Sequence, residues 1–168
     1  MSSSWSRAGL NVGSGDRDSL STVSPSLAGR ERAEGPSAFP FERLDFIYMP
    51  SHDVAADGQY FADILGGRIV FAIEAMGARV SMIKLTDQPP NLLLTDHLEG
   101  ERPILVFRVR ELGRSLTELE GRGWKRERTF EIPHGPCCSF ETPSGHRIAV
   151  YQLTRPEVED HFEGRRDF

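Results

Sequence analysis

The residues of this chain best suited to chemistry are its histidines and two adjacent cysteines, and their spacing limits what they can do. His97 lies in Thr95-Asp96-His97-Leu98-Glu99. An imidazole changes charge near neutral pH, so His97 is read either as a group that hydrogen-bonds a ligand, acts as a base or ligates a metal, or as a strand-end residue capping a crossover. Glu131 and His134 lie in Glu131-Ile132-Pro133-His134-Gly135-Pro136-Cys137. The two prolines exclude a helix there and fix a rigid turn. The segment is then either a polar cluster of Glu131 and His134 with His97, or a strand bulge with His134 at the surface. Cys137 is a soft ligand, a thiolate or an inert buried thiol. No Gly-rich phosphate loop, C-x-x-C, H-E-x-x-H or G-x-S-x-G elbow occurs.

The elements that must position these residues follow from hydrophobic periodicity. Residues 41–50 form an apolar-rich run of strand length ended by Pro50. Residues 51–67 read as a helix, with Ser51 or Asp53 as cap, Val54, Phe61, Ile64 and Leu65 on one face and Gly66-Gly67 as the stop. Strands are predicted over 68–74, 78–85 and 91–98. The order then repeats. A strand over 102–110 leads to a helix with Leu112, Leu116 and Leu119 on one face. Strands follow over 124–132, 137–141 and 147–153. Residues 154–168 are charged and are expected to trail over the surface or to pack as a short helix.

Composition divides the chain at residue 40. It has 168 residues and a net charge of −5. Residues 1–40 hold ten Ser, five Gly and three Pro, and their four Arg balance four acids. With apolar residues scattered singly, that arm is expected to be disordered. The whole −5 sits in the remaining 128 residues, which carry 16 basic and 21 acidic groups. An acidic body of this kind excludes broad phosphate-backbone binding, so no nucleic-acid partner is expected. No apolar run is long enough for a membrane span. Adjacent Cys137 and Cys138 make no disulfide framework, which points to a reducing, cytoplasmic setting.

The body is thus βαβββ followed by βαβββ, an α+β pattern. Three stretches carry a family resemblance: LDFIYMPSHDVAADGQYFADILGGRIV, ILVFRVRELGRSLTELEGRGW and the closing FETPSGHRIAVYQL. Across residues 42–153 the chain resembles the vicinal oxygen chelate superfamily, also called the glyoxalase/bleomycin-resistance/dioxygenase superfamily. The resemblance implies two βαβββ modules, about 42–98 and 102–153, paired into an incomplete barrel around a ligand cup. It gives a domain over 41–156 and a tail over 157–168, and a homodimer.

The resemblance also places a divalent-metal set. Its positions fall on Phe46, Leu93, Ile104 and Ala149, all apolar, and metals of this kind need N, O or S donors. No metal or other cofactor is therefore expected. Strand alternation from those positions predicts the cup lining: Phe46, Tyr48, Leu93, Thr95, His97, Ile104, Val106, Arg108, Ala149 and Tyr151. Apolar walls with a few polar points suit a small, partly apolar or aromatic ligand, and Arg108 is the clue to any anionic one. The alternative is a metal-dependent lyase or dioxygenase with a displaced ligand set of His97, Glu131 and His134, with Cys137 as a further donor. A third reading makes the domain a regulatory partner with residues 1–40 as its interaction arm.

Overall fold

A computed structural model describes residues 40–75 and 77–168. The arm read over 1–40 lies outside the described residues, apart from Pro40. The first module runs β1 (Arg43–Pro50), α1 (Val54–Asp63), β2 (Arg68–Ala75), β3 (Ala78–Lys84) and β4 (Asn91–Thr95). The second runs β5 (Ile104–Val109), α2 (Leu112–Gly121), β6 (Thr129–Ile132), β7 (Gly135–Glu141) and β8 (Arg147–Gln152), and a short α3 (Val158–Phe162) ends the chain. All eight strands form one open mixed sheet in the order β2-β3-β4-β1-β5-β8-β7-β6. Each module closes by a parallel pair, β1 with β4 and β5 with β8, and the modules meet where β1 runs antiparallel to β5.

The core shows why this sheet curls. On one face a single apolar cluster takes Phe46 from β1, Val70, Phe71 and Ile73 from β2, Met82 from β3 and Val106 from β5. Cys137, Ala149 and Tyr151 from β7 and β8 complete it. Strands near opposite ends of a flat sheet would be too far apart to share one cluster, so this face is concave. The opposite face carries two separate clusters, one under each helix. Val54 of α1 packs on Ile83 and Leu94, and Leu112 and Leu116 of α2 pack on Val109, Cys138 and Val150. The alternation of strand side chains is what feeds both layers at once.

Helix ends follow local chemistry. Asp53 caps α1, its side chain accepting from the Ala56 N–H at 3.0 Å, while Ser51 donates instead to Asp57. The helix stops at Asp63, two residues before the expected apolar face is complete. Ile64 and Leu65 therefore stand exposed, contrary to the expectation from periodicity. In the second module Glu111 caps α2 by accepting from Arg114 N–H. The strand expected over 124–132 shrinks to Thr129–Ile132. Trp124 packs edge-on against Phe140 at 5.2 Å, and Arg126 holds Glu120 through two hydrogen bonds of 2.9 Å. Arg126 is thus tied to α2, while the Trp124 ring lies against Phe140 of β7.

The charged C-terminal segment forms a strap. Thr154 and Arg155 donate their N–H groups to the His134 carbonyl, and the Arg155 guanidinium bonds Glu131 and the Ile132 and Pro133 carbonyls. α3 then places Phe162 on Phe71, with ring centroids 5.7 Å apart. Beyond it, Gly164 donates to Val70, Ala72 donates to Arg165 and Asp167 donates to Ala72. The strap thus begins beside the β6–β7 turn and ends as a short pairing on the β2 edge, covering hydrogen-bonding groups that an open edge would expose.

Candidate functional site

The four positions assigned to metal ligands by resemblance all contribute to the concave apolar cluster. Phe46 and Ala149 are buried in it, and Leu93 and Ile104 pack against it. Their hydrocarbon side chains offer no donor, so the residues present do not fit that metal. The displaced set is not assembled either. Glu131 is exposed and paired with Arg155, Cys137 is a buried core thiol, and no group of three or more His, Cys, Asp or Glu among the described residues could hold a metal ion.

Two polar clusters flank this apolar floor. At one end the Tyr48 hydroxyl and His97 Nε2 are 3.1 Å apart, and the Thr95 hydroxyl and His97 Nδ1 share a 2.7 Å hydrogen bond. Tyr48, Thr95 and His97 are therefore brought together by β1 and β4, whose parallel register sets Tyr48 beside Leu93. The hydrogen bonds satisfy both ring nitrogens of His97, which itself is exposed. Partial burial raises the Tyr48 phenol above its ordinary value.

At the other end lies a cluster that alternation only half discloses. Tyr151 is 1% exposed and donates its hydroxyl to Asp45 Oδ2 at 2.6 Å. The other Asp45 oxygen accepts from Arg43 Nε at 2.5 Å. Arg108 Nε sits between Asp45 at 3.5 Å and Glu42 at 3.6 Å, buried but with no hydrogen-bond partner among the described residues. Desolvation, with the Asp45 carboxylate as acceptor and neighbour, pushes the Tyr151 phenol far up. Strict alternation puts Asp45 on the face opposite Phe46. Instead the β1–β5 register slips between Leu44 and Phe46, a bulge that leaves Asp45 without a strand partner and lets it reach Tyr151. Lone Asp45 carries no sequence signal for this, because a bulge is set by pairing rather than by composition.

His134 was the other open reading. Its ring lies 5.0 Å from Phe46 and 5.9 Å from Tyr151, so it sits over the apolar floor rather than at the surface. Its Nε2 is 3.4 Å from Glu159 on the strap, within hydrogen-bonding reach though poorly aligned. That proximity holds the Glu159 carboxyl below the usual carboxylate range, against partial burial acting the other way. The turn needs glycine next to it. Gly135 has φ +148°, and a Cβ there would strike the Gln152 carbonyl oxygen. His97 and His134 belong to different clusters, and Glu131 to neither. His52, His146 and His161 are exposed.

Between the floor, the Asp45 cluster and the strap lies a cavity of about 190 Å3. Its walls are Phe46, Tyr151 and Leu153 on the apolar side and Arg43, Asp45, Lys84, Asp87, Asn91, Arg108 and Glu159 on the polar side. The cysteines take no part. Burial pushes the Cys137 thiol up to about 12, leaving it protonated and unreactive at neutral pH.

No family model matches the sequence, and no curated protein matches it. Solved structures do. Methylmalonyl-CoA epimerase from Mycobacterium tuberculosis aligns with a TM-score of 0.59 at 15% identity, over 72% of this chain and 94% of that one. A hypothetical protein from Bacillus halodurans gives 0.57 at 10% identity, over 67% and 95%. A variant of the Streptomyces coelicolor epimerase, in complex with 2-nitronate-propionyl-CoA, gives 0.55 at 15% identity, over 68% and 99%. Likeness at this identity speaks for fold alone, and it agrees with the paired βαβββ topology and the motifs of residues 42–153. The chain has the fold of the vicinal oxygen chelate superfamily.

Proposed function

We propose that this protein binds a small, partly apolar or aromatic ligand on the concave face of its sheet, without a metal. The observation that supports this best is the chemistry of Phe46, Leu93, Ile104 and Ala149. Where the resemblance places metal donors, this chain has a continuous apolar floor, flanked by hydrogen-bonding groups at both ends. Apolar walls with a few directing polar groups are how small-molecule sites are generally made. The cavity of about 190 Å3 suits a ligand the size of a single aromatic ring. The ligand is assigned to Phe46, Tyr48, Leu93, Thr95, His97, Arg108, Ala149 and Tyr151, of which Phe46, Arg108 and Tyr151 line the cavity.

The same reading places the protein in the cytoplasm as a homodimer. Cys137 and Cys138 are free, and the β6 edge, with Phe130 exposed beside it, is the sheet edge left for a second copy. No helix among the described residues is long and apolar enough to cross a membrane.

The test is a thermal-shift titration with benzoate, benzamide and indole. A ligand that binds only the native state raises the melting temperature with concentration. At least one probe is expected to do so, and Leu153→Trp, which fills part of the cavity at a half-buried position, is expected to abolish the shift. No shift with any probe, or an equal shift in Leu153→Trp, contradicts the proposal.

A further inference from the structure

The charges around the cavity of about 190 Å3 cancel. Its wall holds three cations, Arg43, Lys84 and Arg108, and three carboxylates, Asp45, Asp87 and Glu159. Arg43 bonds Asp45, and Arg108 lies in ion-pair range of both Asp45 and Glu42. Glu159 faces His134. Lys84, half-buried, and Asp87, exposed, complete the balance. A ligand with a net charge would give up water here and find no opposite charge in surplus. The wall is matched to a ligand of no net charge.

Asn91 is the polar side chain that this wall leaves unused. It is 6% exposed and lines the cavity, and its carboxamide makes no hydrogen bond among the described residues. Strand β4 sets its direction. Residues 91, 93 and 95 alternate onto one face, the face on which Leu93 meets the apolar floor, and the parallel register puts Asn91 beside Phe46. A buried carboxamide without partners is costly. It offers an N–H donor next to a C=O acceptor, and a group carrying the complementary pair satisfies both at once. Asparagine reads the donor–acceptor edge of a nucleobase in the same bidentate way. Phe46 and Tyr151, with ring centroids 6.1 Å apart, and Leu153 supply the apolar wall next to it.

We propose that Asn91 selects a neutral aromatic amide or lactam, whose donor–acceptor edge pairs with the Asn91 carboxamide and whose ring lies against Phe46, Tyr151 and Leu153. The assignment rests on the binding function proposed above and narrows it to a class of ligand. An anion offers the carboxamide acceptors alone and a cation donors alone, so each leaves half of it unpaired, and neither has a counter-charge in surplus on the wall.

The experiment is calorimetric titration of the full-length chain at constant ionic strength with benzamide and four compounds of similar shape: benzoate, cationic benzamidinium, zwitterionic phenylglycine, and acetophenone, which keeps the acceptor and lacks the donor. Benzamide is expected to bind at least about tenfold more tightly than each of the others. Asn91→Asp replaces the donor–acceptor pair with two acceptors, which the two donors of an amidinium match, so in this variant benzamidinium is expected to bind more tightly than benzamide. Asn91→Leu keeps the size and removes both polar groups, and is expected to erase the difference between benzamide and acetophenone. Both readouts compare probes within one variant, so a loss of stability alone does not produce them. Benzoate, benzamidinium, phenylglycine or acetophenone binding the wild type as tightly as benzamide, or an unchanged order in Asn91→Asp, overturns the amide assignment while leaving the cup as a binding site. Failure of all five probes and of indole overturns both.

Discussion

Tyr151→Phe isolates the polar end of the site. The phenol ring is buried in the concave cluster, so the ring of Phe refills the same space and no cavity term enters. What is lost is one O–H donor to Asp45 Oδ2 at 2.6 Å. That oxygen keeps only Arg108 Nε, at 3.5 Å and without a hydrogen bond. A hydrogen bond to a charged group contributes about 1.5–3 kcal/mol, so a loss of about 2 kcal/mol is expected. For a domain of this size that is a fall in melting temperature of roughly 6–8 °C. The assay is thermal and urea denaturation of the wild type, Tyr151→Phe, Asp45→Asn and the double variant. The double-mutant cycle is expected to give a coupling of at least about 1 kcal/mol between the two residues. A loss within about 0.5 kcal/mol, or additivity in the cycle, refutes the claim that this hydrogen bond couples Tyr151 to Asp45.

Alkaline pH should destabilise the fold. The Cys137 thiol is raised to about 12 and the Tyr151 phenol is raised as well, so the unfolded chain releases these protons first. Their contribution is complete below pH 9 and is lost as pH rises toward 12, at about 1.4 kcal/mol per pH unit for each group titrating. Urea midpoints from pH 8 to 11 will show that slope, and Cys137→Ala should flatten part of it. Deleting residues 163–168 removes the Ala72 N–H bond to Arg165 and the Glu74 N–H bond to Asp167. Amide exchange at Ala72 and Glu74 is expected to accelerate by at least tenfold while Val150 in the central β8 stays protected; unchanged exchange would mean the β2 edge is not held by the strap.

How much of this was legible beforehand depended on the range of the signal. The modules were readable because each strand and helix announces itself over a few residues. Leu112, Leu116 and Leu119 mark α2, and the alternation through Phe46 and Tyr48 marks the face of β1 that enters the cup. The placement of Thr95 and His97 followed from the same period. Asp45 was missed because a bulge depends on how β1 meets β5, and nothing within either strand's composition declares it. Of the two readings of residues 154–168, α3 meets the short helix, but the anchors that make the segment a strap are long-range. Arg155 binds the backbone near Glu131, and Gly164 and Asp167 bind β2, so the charges of residues 154–168 look like those of a solvated tail. His134 was ambiguous for the same reason. The Pro-flanked turn predicted rigidity, but only the backbone ties from Thr154 and Arg155 aim the ring over Phe46 and Tyr151.

We propose that the cup binds its ligand without the divalent metal that the family resemblance places there. The direct measurement is elemental analysis of the purified protein after incubation with Fe, Mn, Ni, Co and Zn and removal of loosely held ions, paired with benzamide titration before and after treatment with a chelator. No stoichiometric metal and a benzamide affinity that the chelator does not change are the expected results. Stoichiometric metal that disappears in His97→Ala, or benzamide binding that the chelator abolishes, would contradict the proposal.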